Sequence, residues 1–158
     1  EAGMCNYRDI IKEQFDLDMD NIPGSGAAGG LGTALMVFLN GTLKSGIETV
    51  LDLVDFDEHL KDVDIVVTGE GATDWQSVFG KVMQGVGVHC QKHHIPAVAI
   101  VGSMGSGAED IFDYGIESII TTVNNIMPLS DALNHAEELY LGAARRMFRL
   151  LKAGMQMR

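Results

Sequence analysis

Two carboxylates, an amide and a lysine lie close together in one stretch of the chain: Glu70, Asp74, Gln76 and Lys81, within V-D-I-V-V-T-G-E-G-A-T-D-W-Q-S-V-F-G-K (63–81). Carboxylates can take a proton from a hydroxyl or hold a hard divalent cation, and a lysine can neutralise a phosphate or another anion. Val63 to Val67 is a short β-branched run broken only by Asp64, the pattern of a parallel strand buried on both faces. Gly69 and Gly71 are expected to stop that strand, with an amphipathic segment starting near Phe79. The acids and the lysine would then sit on a strand–loop–helix turn, and open α/β sheets bind ligands outside the carboxyl ends of such strands. Two readings stand side by side. The loop suits a charged ligand with a metal ion, and it also suits an ordinary βα connection whose polar residues cap the helix.

The elements that would carry this loop can be read in order. Apolar residues at 7, 10, 11 and 15 make one face of a short helix. An acidic loop from Asp16 to Asn21 closes at Pro23, and Gly24-Ser25-Gly26-Ala27-Ala28-Gly29-Gly30 leads into an apolar helix, Leu31 to Leu39, stopped by Asn40-Gly41. Gly24–Gly29 formally matches G-x-G-x-x-G, but a dinucleotide fingerprint must follow a strand, and Met19 to Pro23 is not one. The glycines either present backbone N–H groups to an anion or permit close helix packing.

Ser45 can cap a helix from Gly46 to about Phe56, and an acidic turn, Asp55 to Asp62, enters the central strand. After Lys81 a helix is expected to run towards His94 and end at Pro96. Ala97–Val101 reads as a second buried strand, Ala108–Tyr114 as a short helix stopped by Gly115, and Ser118–Val123 as a third strand. Ser130 would cap one long last helix whose final turns hold Arg145, Arg146, Arg149 and Lys152, a charge order that complements the helix dipole. Alternation of strands and helices implies a parallel, doubly wound sheet with strands 64–68, 97–101 and 118–123 adjacent. Three strand ends would face one crevice: Thr68 to Gly71, Gly102-Ser103 and Asn124-Asn125. Three such strands leave bare edges, so further strands are expected from another copy, as a homo-oligomer through the exposed edge, or from sequence not present.

Composition narrows the partners. The 158 residues carry 11 basic and 22 acidic side chains, a net charge of −11, with no basic stripe outside the last helix, which disfavours nucleic acid and anionic membrane. No apolar stretch approaches a membrane span, and Glu1 to Asp9 is no signal peptide. Cys5 and Cys90 form no framework, so a reducing cytoplasm is the expected compartment. The first residue is not Met, which hints at a fragment or a processed product.

Other chemistry is weaker. Trp75 holds the first glycine position and Val82 the hydroxyl position around Gly80-Lys81, so this is no Walker A loop. His89, Cys90, His93 and His94 include two i, i+4 pairs that could ligate zinc, but the simpler expectation is histidines satisfying carbonyls at a helix C-terminus. No Ser-His-Asp arrangement is identifiable.

The stretch I-V-V-T-G-E-G-A-T-D-W-Q-S-V-F-G-K (65–81) resembles the signature of the bacterial glycerate kinases of organic-acid pathways, approximately T-G-E-G-x-x-D-x-Q-[ST]-x-x-G-K. P-G-S-G-A-A-G-G-L-G (23–32) is similar to a second hallmark of that family, and V-A-I-V-G-S (98–103) matches in order. Ala72, Met83-Gln84 and Gly87 depart from the usual pattern. The resemblance implies a Rossmann-like domain interrupted by an inserted α/β domain, in chains more than twice this length. Residues 1–44 would then end the inserted domain, and 45–158 would be the C-terminal half of the Rossmann-like one.

The same resemblance implies ATP-dependent phosphorylation of D-glycerate with Mg2+. Asp74 would be the base or orienter for the glycerate hydroxyl, Lys81 would neutralise phosphate or carboxylate, and Glu70 would sit on the magnesium shell, the two acids being exchangeable as metal-shell residues. Gly24, Ser25, Gly26, Gly29 and Gly30, together with Thr68, Gly69, Gly71, Gln76, Ser77 and Ser103, would bind substrate or phosphate. The isolated chain is expected to be inactive. A rival reading is a non-catalytic, flavodoxin-like binding or regulatory module, with acids dispersed and solvated; a dinucleotide-dependent oxidoreductase would need a strand before Gly24.

Overall fold

The computed structural model describes residues 2–157. They divide into two compact units, one ending at Ser45 and the other beginning at Gly46.

The first unit is built from α1 (Ala2–Phe15) and α2 (Ala27–Leu39). Ile11 is its most deeply buried side chain, and Phe15 meets Phe38 edge to face at 5.5 Å. Regular helix in α2 starts only after Gly30, because Ala28, Gly29 and Gly30 all have left-handed backbone, with φ of 51°, 71° and 89°. The loop folds back onto the helix it precedes: Thr33 donates both its N–H and its Oγ1–H to the Ser25 carbonyl, at 3.1 and 3.2 Å. A Cβ on Gly32 would lie 2.6 Å from the Gly24 carbonyl oxygen, so close backbone approach does require glycine there. Asn40, left-handed at φ 51°, ends the helix where Asn40-Gly41 was expected to end it.

The second unit contains a parallel sheet of β1 (Val66–Thr73), β2 (Ala97–Met104) and β3 (Ile116–Thr121), in the order β1-β2-β3. The three expected strands are therefore adjacent and parallel. Their alternation sorts the core into two layers. Ala97, Ala99 and Val101 face a cluster with Leu51 of α3 (Gly46–Leu53), Leu60, and Met83, Val86 and Cys90 of α5 (Val82–His93). Val98 and Ile100 face Ala143 and Met147 of α7 (Ala136–Met155). Helices thus cover both faces, as in a doubly wound α/β sheet. Among the described residues the outer edges of β1 and β3 are unpaired.

Several expected boundaries move, each for a local reason. Gly69 and Gly71 do not stop β1, which continues to Thr73, paired with β2 as far as Thr73↔Met104. Gly69 serves close approach instead, since its Cβ would overlap the Ile100 carbonyl oxygen, and across the pair it is Gly102, whose Cβ would overlap the Gly71 carbonyl oxygen, that needs to be glycine, while a Cβ on Gly71 itself would meet nothing. Residues Trp75–Val78 form a 3₁₀ turn, so α5 begins at Val82 and not near Phe79. The acidic stretch after α3 is itself mostly helical, as α4 (Phe56–His59) and a 3₁₀ turn, Leu60–Asp62. Ala108–Tyr114 is 3₁₀, and left-handed Gly115 (φ 89°) turns the chain directly into β3, two residues earlier than expected. The last helix is two: α6 (Leu129–Asn134) and α7 meet at His135, and Pro128, not Ser130, occupies the first N-cap. Ser130 Oγ bonds Asp131 instead, at 3.3 Å.

Candidate active site

The acid near the end of β1 is held by hydroxyls. Glu70 Oε1 accepts hydrogen bonds from Thr73 Oγ1 at 2.8 Å and from Ser77 Oγ at 2.6 Å. Both hydroxyl residues are essentially inaccessible, at 0% and 1% exposure, whereas Glu70 is only partly buried. Thr73 Oγ1 also touches Met83 Sδ at 3.5 Å, which packs the pair against the start of α5. A buried hydroxyl without a partner would destabilise the fold, so these two must have an acceptor, and a carboxylate is a strong one.

Asp74 is the N-cap of the 3₁₀ turn. Its Oδ1 accepts the Gln76 N–H at 2.8 Å, while its own N–H is donated to Ser77 Oγ at 3.3 Å. This reciprocal arrangement is a capping box, with serine in the place usually held by a glutamate or glutamine. Ser77 Oγ therefore accepts from Asp74 and donates to Glu70, linking the two acids through one hydroxyl. The loop after β2 braces the same segment: Gly105 N–H bonds the Thr73 carbonyl at 2.7 Å, and Trp75 N–H bonds the Ser106 carbonyl at 3.0 Å.

Lys81 is exposed and is the N-cap residue of α5, and its Nζ enters no ion pair among the described residues. Gly80, left-handed at φ 69°, precedes it and donates its N–H to Gln84 Oε1 at 2.6 Å. A lysine at the positive end of a helix opposes the macrodipole, and its side chain does not cap. Folding alone gives no reason for a cation there. An anion would be attracted by lysine and helix end together.

The remaining expected residues fall into separate places. Thr68, Gly69 and Glu70 line an open crevice of ≈ 400 Å³ with Ile100, Gly102, Thr122 and Tyr140. Gly71 and Ser103 lie on the paired ends of β1 and β2, and Gln76 is exposed on the 3₁₀ turn. Gly24, Ser25, Gly26, Gly29 and Gly30 belong to the first unit, where Ser25 and Gly26 line a ≈ 140 Å³ cavity with Tyr7, Arg8 and Asp20. Sequence reasoning missed Thr73 and the Gly105–Ser106 brace. The spacing D-x-x-S at 74–77 was a readable capping signal, whereas the brace is a long-range contact with no local signature.

At the other end of α5 the expectation of histidines on carbonyls is corrected. His89 Nδ1 bonds Asp57 Oδ1, and its Nε2 lies 3.1 Å from Glu48 Oε2. Lys92 Nζ reaches Asp57 Oδ2 at 3.0 Å, and His93 Nε2 lies 3.1 Å from the same oxygen without hydrogen-bond alignment. The neighbouring His89, His93 and Lys92 hold the Asp57 carboxyl far below the usual carboxylate range. Burial opposes the charge of His89, but the bonds to Asp57 and Glu48 outweigh it and raise the imidazole above its ordinary value. Acidic partners attract histidine more strongly than carbonyls do, and α3 and α4 supply them. Cys90 is a core residue whose thiol burial pushes up to about 11, so it carries no reactive thiolate. Among the described residues no cluster of three or more His, Cys, Asp or Glu forms a metal cage.

Comparison with known proteins places the chain in a family. Residues 1–152 match the sequence pattern of the Glycerate kinase family. The chain is 40% identical over 147 residues to a glycerate kinase of Halalkalibacterium halodurans, covering 93% of this chain and 39% of that protein. It is 37% identical to the glycerate 2-kinase of Escherichia coli K12, covering 99% and 41%. A crystal structure described as "putative glycerate kinase 2" from Salmonella typhimurium LT2 superposes with a TM-score of 0.69 at 35% identity, over 96% of this chain and 39% of that one. The chain thus spans about two fifths of the length of these relatives. None of these comparisons supports a non-catalytic module. With the family pattern running through both units and the acid loop at its centre, the chain belongs to the glycerate kinase family.

Proposed function

We propose that the chain supplies the acid- and lysine-bearing part of an ATP-dependent kinase that phosphorylates a hydroxyl of D-glycerate. The observation that carries this reading is Lys81 at the positive end of α5, following on Glu70 near the end of β1 and Asp74 at the cap of the next turn. Phosphoryl transfer asks for charge neutralisation and positioning more than for covalent chemistry. Lys81 would neutralise phosphate or the glycerate carboxylate, and Asp74 would orient the attacking hydroxyl and take its proton. Glu70 suits the shell of Mg2+. It is a hard oxygen donor with Oε1 fixed by two hydroxyls, and Mg2+ is commonly held by one or two carboxylates together with phosphate oxygens and not by an all-protein cage. When bound, the metal would supply charge stabilisation on the phosphates.

In this reading, residues 1–44 are the end of an inserted domain and 45–158 the C-terminal half of a Rossmann-like one. The outer edges of β1 and β3, unpaired among the described residues, agree with a sheet that is completed by other strands. No described helix is long and apolar enough to cross a membrane. A cytoplasmic enzyme acting on small molecules, without nucleic-acid partners, fits the net charge of −11.

The test is glycerate phosphorylation by two proteins: this chain alone, and a chimera in which it replaces the matching segment of the H. halodurans relative. The expected result is ATP- and Mg2+-dependent phosphoglycerate formation by the chimera and none by the chain alone. A folded chimera that leaves glycerate untouched would overturn the reading. Turnover by the chain alone comparable with the chimera would overturn the partial-site argument.

A further inference from the structure

We infer that Thr73 and Ser77 are positioning residues that hold the Glu70 carboxylate in a single orientation for the reaction, and this rests on the functional reading above. The two hydroxyls converge on one oxygen, Oε1, at 2.8 and 2.6 Å, while Oε2 accepts no bond among the described residues. Two donors on one oxygen anchor the carboxylate and so restrain the side-chain torsions that lead to it to one rotamer, and they leave the second oxygen to face a ligand. Neither hydroxyl can reach a ligand itself, because both residues are buried.

A purely structural role accounts for only half of this arrangement. Ser77 closes the capping box by accepting the Asp74 N–H at 3.3 Å, and a serine could do so with its proton directed elsewhere. Thr73 takes no part in that cap. It is a completely buried residue at the end of β1, where valine would pack equally well and would need no acceptor. Instead its Oγ1 contacts Glu70 on one side and Met83 Sδ on the other, and its backbone carbonyl is pinned by Gly105 N–H at 2.7 Å. The carboxylate is thereby referenced to β2 and α5 and not to a free loop. Groups that orient a metal-ligating side chain through hydrogen bonds typically matter by about 10–100-fold in metal affinity or activity, the scale that applies if Glu70 sits on the Mg2+ shell.

The experiment has two arms. In the 158-residue chain itself, NMR three-bond couplings of Glu70 read its side-chain rotamers without any need for activity. One rotamer is expected in the parent and averaging in the Thr73→Val, Ser77→Ala double variant, with Thr73→Ser retaining the single rotamer. Averaging already present in the parent overturns the proposal. In the chimera, each single variant is expected to lower kcat about 10-fold with KM within about 2-fold, and to have no further effect in a Glu70→Gln background. Unchanged kcat, or an equal loss in both backgrounds, overturns the proposal. A single parent rotamer with no glycerate phosphorylation by the parent chimera limits the inference to fixing Glu70, overturns its catalytic part, and sinks the functional reading with it.

Discussion

The two ends of α5 hold acids in opposite ways. At the C-terminal end Asp57 is gripped by His89, Lys92 and His93, with Glu48 sharing His89, so its charge is spent inside the protein. At the N-terminal end Glu70 is held by two neutral hydroxyls and Asp74 by one backbone N–H, while the nearest sequence cation, Lys81, pairs with neither. Neutral donors orient a carboxylate without cancelling its charge; cationic donors do both. An acid neutralised by its neighbours is architecture. An acid held by neutral hydroxyls keeps its field.

That contrast predicts separable outcomes. The largest effect is expected for Asp74→Asn in the chimera, with kcat falling by about 10²–10⁴-fold while the circular dichroism stays native. Near-normal turnover in a folded variant would remove Asp74 from the mechanism and leave Glu70 as the candidate base. Lys81→Met should damage kcat and KM together, because its charge meets the anion in ground and transition states alike; a change confined to melting temperature would reassign Lys81 to folding.

Asp57→Asn should do the reverse, leaving kcat within about 2-fold and lowering the melting temperature by about 3 °C near pH 6. The pH dependence follows from the signs. Asp57, depressed when folded, contributes above its unfolded value of about 4, and that contribution is lost as acid protonates it. His89, raised when folded, contributes below about 6.5 and loses its contribution as pH rises through the folded value. The destabilisation caused by Asp57→Asn should therefore be greatest between about pH 4 and 6.5 and smaller at pH 8.5. A pH-independent difference would break the assignment. The smallest effect belongs to Lys92→Ala: at 66% side-chain exposure its pair with Asp57 is screened, and the melting temperature should move by only about 1 °C.

Legibility in the sequence divides along the same helix. The apolar runs and their order were enough to place three adjacent parallel strands, although only Ala97–Val101 is buried on both faces and β1 and β3 are partly exposed. Gly69 misled, because glycine marks both a turn and a close approach of two backbones, and only the neighbouring strand decides which. The link between Glu70 and Asp74 through Ser77 was within reach of short-range spacing, since all three lie within eight residues of one another. Thr73 was not, since its role comes from where Glu70 folds back. The partners of His89 and His93 lie on α3 and α4, far away in sequence, so local reasoning assigned them to carbonyls.

The brace between the two strand-end loops sets what can be exchanged between relatives. Thr73 and Trp75 are tied to Gly105 and Ser106 by backbone bonds, which any side chain can make, while a Cβ added at Gly105 would come within 3.2 Å of Asp74 Cβ. The loop after β2 is thus the mould in which the acid loop is cast, although it contributes no reactive group. Transplanting residues 66–81 alone into another scaffold would carry the letters of the motif without its shape. The smallest heritable module is discontinuous, made of residues 66–81 and 102–107 together, so recombination with a breakpoint between them would keep the sequence hallmark and lose the geometry.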